Sequence, residues 1–190
     1  MTDLELLAEL IEELARDLHP EIEPLTAEEL NWDPGPHANS IGVTLWHMAR
    51  GMDFLTVRVL QSKPAEEEQW HTKGWREKTG YDPRGIGYSG WGVITGYTWE
   101  EVLAIPSFTS QEIMEYFDQA CFALSAHVRK MLQETAQLPV QEFMKGKLNQ
   151  YQWIKFFYKG LQSHVGEIMA IKAMLERKKM EAIALREEIR

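Results

Sequence analysis

The sequence predicts an all-α protein: an up-down-down-up four-helix bundle with a long Trp/Gly-rich crossover between its second and third helices. Three observations predict it. Four stretches repeat large apolar residues at alternating spacings of three and four, which places them on one face of a helix. Each stretch opens on a residue suited to capping a helix N-terminus. Between the second and third stretches the pattern lapses, and residues 64–108 hold seven of the thirteen glycines and four of the seven tryptophans. At 190 residues the chain is most simply one domain, 1–190, long enough for a core.

The first helix, about 3–18, carries Leu4, Leu7, Ile11, Leu14 and Leu18. Thr2 and Glu5 form a capping box, and His19-Pro20 is expected to end the helix because proline disfavours helical backbone at the preceding residue. His19 is given no role. Thr26 and Glu29 form a second box over a single turn. Trp32-Asp33-Pro34-Gly35-Pro36 is turn chemistry, with His37 in an exposed loop. Asn39 or Ser40 caps the second helix, about 40–62, whose stripe is Ile41, Leu45, Met48, Met52, Leu55 and Val59.

The crossover, about 63–109, sustains no helical period beyond a turn near Thr98–Leu103. A connection of this length tends to be functional, and its aromatic content points to an ordered cap rather than a disordered linker. Thr109 and Glu112 open the third helix, about 110–134, with Ile113, Phe117, Ala120, Leu124, Val128 and Met131. A loop around Leu138-Pro139 and Lys145-Gly146-Lys147 follows. Asn149 and Gln152 open the fourth, about 150–178 or beyond, with Ile154, Phe157, Leu161, His164, Ile168, Ile171 and Leu175. Its tail, Met180 to Arg190, is either a projecting helix end or a dimer contact. Short connections force neighbouring helices antiparallel, whereas the crossover lets the second and third run the same way.

A net charge of −9 without a Lys/Arg stripe argues against nucleic acid as a partner. No apolar run reaches the ~18 residues of a membrane span. The acidic start MTDLELLAEL does not resemble a signal peptide, so cytoplasmic residence is expected. The one cysteine, Cys121, sits in an apolar helical context and reads as a buried structural thiol. The G-x-G-x-x-G spacing from Gly85 to Gly90 neither follows a strand nor opens a helix, so it is not a dinucleotide site.

Two histidines interrupt apolar helix faces. His47 belongs to the row Ser40, Thr44, His47, Gly51, Phe54, and His164 lies within the fourth stripe itself. Gly51 follows His47 by one turn, and Gly160 precedes His164 by one. A glycine inside a helix costs roughly 0.5–1 kcal/mol against alanine, which is easier to explain if something must fit beside it. Neutral imidazoles are good ligands for zinc or nickel. The residues leave two readings open: His47 and His164 share a divalent metal, or each is a core histidine satisfied by hydrogen bonds. Catalytic zinc usually takes three protein ligands and water. Glu167, His127 and His71 are the candidates for a third.

Asn39-Ser40-Ile41-Gly42-Val43-Thr44-Leu45-Trp46-His47-Met48-Ala49 resembles the start of the second helix in DinB-like proteins. His164-Val165-Gly166-Glu167-Ile168 resembles the H-x-G-[EQ]-I segment of their fourth helix. Leu25 to Trp32 and the crossover around Gly74-Trp75 are similar too, so the resemblance spans nearly the whole chain. It implies an up-down-down-up bundle, often a homodimer, with a divalent metal held by a histidine of helix two and two residues four apart on helix four. His47 and His164 match two of these positions. The third falls on Gly160, which has no side chain, so the site is either incomplete or completed by Glu167, another group or water. The resemblance also implies a thiol-dependent transferase or hydrolase acting on a small molecule or thiol. The alternative is a non-catalytic dimeric bundle that binds a small ligand.

Overall fold

The computed structural model describes residues 1–35, 38–140 and 146–188, with side chains as far as 185. His37, part of the loop before the fourth long helix, and the last two residues of the tail lie outside the described residues. All regular structure among the described residues is helical apart from one isolated bridge, Pro139 to Asn149.

Helix α1, Asp3–Ile22, opens on the Thr2–Glu5 capping box and buries Leu4, Leu7, Ile11, Leu14, Leu18 and Ile22. It does not stop at Pro20. Proline removes one backbone donor and strains the turn before it. Against that, Ile22 is fully buried as the next member of the stripe. His19 anchors the turn from outside, with Nδ1 2.7 Å from Glu23 Oε1 and Nε2 2.9 Å from Asp118 Oδ2.

The short α2, Ala27–Leu30, is capped by Thr26 and Glu29. Helix α3, Ile41–Phe54, takes its first cap from the Ser40 hydroxyl, which accepts from Val43 N at 3.2 Å. It continues as a wider π-turn over Leu55–Leu60. The crossover holds more helix than its composition suggests: 3₁₀ turns at Ala65–Glu67 and Tyr88–Gly90, and short helices α4 (Gln69–Thr72), α5 (Trp75–Thr79) and α6 (Trp99–Leu103). The turn expected near Thr98–Leu103 is α6; the others are too short to show a period, which is why the sequence pattern is silent at them. Trp70 and Trp75 are buried, and Trp70 meets Tyr116 edge-on at 5.0 Å between ring centroids.

Helix α7, Ser110–Lys130, ends four residues earlier than predicted. Met131 turns extended, and Gln133–Ala136 form a separate turn, α8. Arg129 and Lys130 in the last turn of α7 complement its C-terminal dipole. Helix α9, Gln150–Glu188, is 39 residues long, and beyond Leu175 its described side chains are exposed.

Specific pairs set the helix directions. Glu12 meets Arg129 and His19 meets Asp118, so α1 and α7 are antiparallel. Arg50 and Asp53 meet Tyr116, and Gln61 meets His127, so α3 and α7 run the same way. His47 meets His164 and Gly51 lies against Phe157, so α3 and α9 are antiparallel. One apolar cluster runs through all four long helices and takes in Trp70 and Trp75 of the crossover.

Candidate functional site

The rings of His47 and His164 lie 4.7 Å apart between centroids, with their planes at 81°. Antiparallel packing of α3 on α9 brings them together from positions 117 residues apart in the chain. His47 Nδ1 is buried and makes no hydrogen bond. Burial, then the neighbouring His164, push the His47 pKa down to about 4, against a smaller pull from the Val93 backbone. His47 is therefore a neutral imidazole near pH 7. His164 is partly exposed, and its Nδ1 lies 2.7 Å from Glu167 Oε2. A carboxylate only accepts, so Nδ1 carries the hydrogen and the neutral ring keeps its lone pair on Nε2.

The pair forms one wall of a cavity of about 520 Å³ between α3 and α9. Met48, Trp91, Val93, Trp153, Phe156, Phe157 and Leu161 make it largely apolar, with Thr95, Lys159 and Ser163 as its other polar lining. Gly160 opens the wall: a Cβ built there would meet nothing within 4 Å. Gly51 acts differently from the sequence expectation of open space. A Cβ there would sit 3.4 Å from Phe157 Cε1, so this glycine admits the Phe157 ring to close packing.

The roof is the crossover segment 91–95. Its position is set from below by a buried polar cluster that the sequence reading missed. Arg50 is fully buried and donates from Nε to the Gly92 carbonyl at 3.2 Å. Its other nitrogens donate to Asp53 (3.2 Å), Glu68 (2.8 Å) and the Tyr116 hydroxyl (3.3 Å). Asp53 in turn accepts from the backbone nitrogens of Gln69 (2.8 Å) and Trp70 (3.0 Å), at the start of α4. Burial raises the Glu68 carboxyl pKa, opposed by the charge of Arg50. The cluster thus ties the crossover to α3 and α7 and fixes Gly92 beside Val93, which lines the cavity. Ile94 in the same segment has φ 68°, a conformation that β-branched residues rarely adopt. The available signal was Arg50 and Asp53, two charges three apart in a helix otherwise apolar on nearly every side.

The three candidate third ligands do not converge on the pair. Glu167 holds the Nδ1 side of His164 rather than standing beside both rings. His127 packs 3.4 Å from the Gln61 amide nitrogen, in the next stretch of α3 and α7. His71 lies on α4, where Arg84, Asp82, Arg50 and Arg76 are its charged neighbours. Among the described residues, no group of three His, Cys, Asp or Glu is placed to hold one ion. Cys121 is buried as predicted, its thiol donating to the Ile11 carbonyl at 3.2 Å, and burial pushes its pKa up to about 12.

The family model of the DinB superfamily matches residues 10–168. The chain belongs to the DinB superfamily. The crystal structure of a conserved protein from Enterococcus faecalis superposes on this DinB-like chain with a TM-score of 0.76, covering 90% of this chain and 95% of that one. Identity between the two is 16%, so the likeness is one of fold. No curated protein matches. No described helix of this DinB-like bundle is long and apolar enough to cross a membrane.

Proposed function

We propose that the cavity is a small-molecule site and that the chain is a divalent-metal-dependent enzyme. It would be a thiol-dependent transferase or hydrolase, with zinc or nickel held by His47 and His164. The observation that carries this reading is the His47–His164 pair, with a buried Nδ1 on one ring left without a partner. The donor set fits an ion as a two-histidine site. Imidazoles reaching one ion at ~2.1 Å have centroids roughly 4.5–5.5 Å apart, and these lie at 4.7 Å. His164 also has the carboxylate partner that commonly orients metal-binding histidines, here Glu167.

A bound ion would supply Lewis acidity that lowers the pKa of a thiol or water. The rest falls to the chain. Burial keeps His47 neutral, so its lone pair remains available at neutral pH. Glu167 fixes the His164 tautomer. Trp91, Trp153, Phe156 and Phe157 exclude water from the apolar end of a substrate. Gly160 leaves a side chain's volume open beside the pair, room for water or for a donor carried by the substrate.

That same glycine favours a second reading, a non-catalytic dimeric bundle that binds a small ligand in the same cavity. Metal uptake separates the two. Purified protein is soaked in zinc or nickel, dialysed and assayed for metal. The enzyme reading expects about one ion per chain, lost in His47→Ala and in His164→Ala. Wild-type protein that retains none after soaking overturns it.

A further inference from the structure

We propose that the cavity selects arylalkyl molecules carrying an anionic head group and rejects their cationic counterparts. This inference rests on reading the cavity as a ligand site and does not require the ion.

Shape and apolar character come first. Trp153 and Phe157 lie 5.9 Å apart at 40°, and Phe156 meets Trp153 edge-on at 6.1 Å. With Trp91 across from them on the crossover, these rings line a volume in the range of small organic ligands. Aromatic walls alone would accept a cation as readily as a neutral ring, through attraction to the ring face. The charges around them decide otherwise. The chain holds 29 acidic residues, yet among the described residues none lines this cavity. Glu167, the acid next to His164 on α9, is committed to that ring's Nδ1. Among the described residues, Lys159 is the one lysine or arginine that lines the cavity, and it makes no ion pair with any of them. A cation entering would lose water without gaining a carboxylate and would face a like charge. A carboxylate would gain a charge-assisted hydrogen bond from Lys159 at the rim, with its aryl end held among the rings below.

The test uses metal-free, full-length protein and three matched probes in titration calorimetry: phenylbutyrate, phenylbutanol and phenylbutylamine. The expected order is carboxylate, then alcohol, then amine, with roughly tenfold or more between the first and last. Lys159→Gln should shrink that ratio several-fold while leaving the alcohol unchanged. Gly160→Leu should abolish binding of all three with Tm unchanged or higher, because its Cβ meets nothing and leucine favours helix. An amine that binds as tightly as the carboxylate overturns the proposal. So does an unchanged ratio in Lys159→Gln, or undiminished binding in Gly160→Leu. If zinc uptake fails while the anion preference holds, the metal reading falls and this one stands. If zinc is retained without an anion preference, the reverse follows.

Discussion

Glu167 accepts a hydrogen bond from Nδ1 of His164 at 2.7 Å, one turn along the same helix. A histidine held in this way presents Nε2 in a fixed direction. Glu167→Gln keeps the size of the side chain but loses the charge that stabilises the donor hydrogen on Nδ1. If the pair binds an ion, its affinity should fall roughly 10–100-fold, the usual effect of losing such a partner. Competition with a chelating dye measures it. Because Glu167 is largely exposed, thermal stability should barely move.

Gly160 stands four residues before His164, so a side chain placed there lies on the same helical face. Gly160→His should tighten zinc or nickel binding by on the order of tenfold or more, by supplying a third imidazole. Calorimetric titration against wild type checks it. Helix propensity predicts a concurrent stability gain of a few tenths of a kcal/mol in the metal-free form. Equal affinity in the two proteins would show that the pair does not bind the ion.

Among the described residues, Arg50 is the one fully buried cation in the cluster with Asp53, Glu68 and Tyr116. Arg50→Met strands two carboxylates away from water and should cost about 3–5 kcal/mol in urea unfolding. Adding Glu68→Gln should recover part of the loss, because the two residues act as a unit. Since Arg50 also holds the Gly92 carbonyl, ligand binding in the cavity should weaken in both variants.

Two histidines give opposite pH slopes. The folded pKa of His47, about 4, lies below the ordinary value of 6.5. Its contribution is complete above pH 6.5 and is lost as the pH falls towards 4, because the unfolded chain takes up the proton first. The full loss is on the order of 3 kcal/mol. His47→Gln should flatten this acid limb in metal-free protein. The His19 pKa is raised: burial lowers it, but Glu23 and Asp118 outweigh that. Its contribution is present below pH 6.5 and disappears as the pH rises through the raised folded value. His19→Gln should therefore lower stability on the acid side and leave the alkaline side unchanged.

The four long helices were legible because each shows one apolar face over many turns. The reciprocal bonds of Thr2–Glu5, Thr26–Glu29, Thr109–Glu112 and Asn149–Gln152 are all formed. A further box, Thr98–Glu101, went unread although the turn it opens was expected. Proline at position 20 was read by local rules, and the burial of Ile22 overrode them. The two site histidines stood out as polar residues on apolar faces. Arg50 did too, yet its partners come from the crossover and α7, and only the folded chain brings Glu68, Gly92 and Tyr116 to it. Likewise Trp91, Val93 and Thr95 have no periodic pattern to mark them, because they reach the cavity from irregular backbone.

The π-turn at Leu55–Leu60 makes the length of α3 a counted quantity. Gln61 N bonds back to Thr56 O at 3.2 Å, five residues earlier, where an ordinary helix would close in four. The wide turn already holds one extra residue, so a further residue inserted into α3 would rotate everything downstream by about 100°. Gln61 would swing away from His127, and Glu68 would reach the bundle out of step with Arg50. An exposed loop absorbs a single-codon insertion by lengthening its path. Here the reading frame survives such a gain but the geometric frame does not, and the damage would surface in the cavity roof, some thirty residues further along the chain.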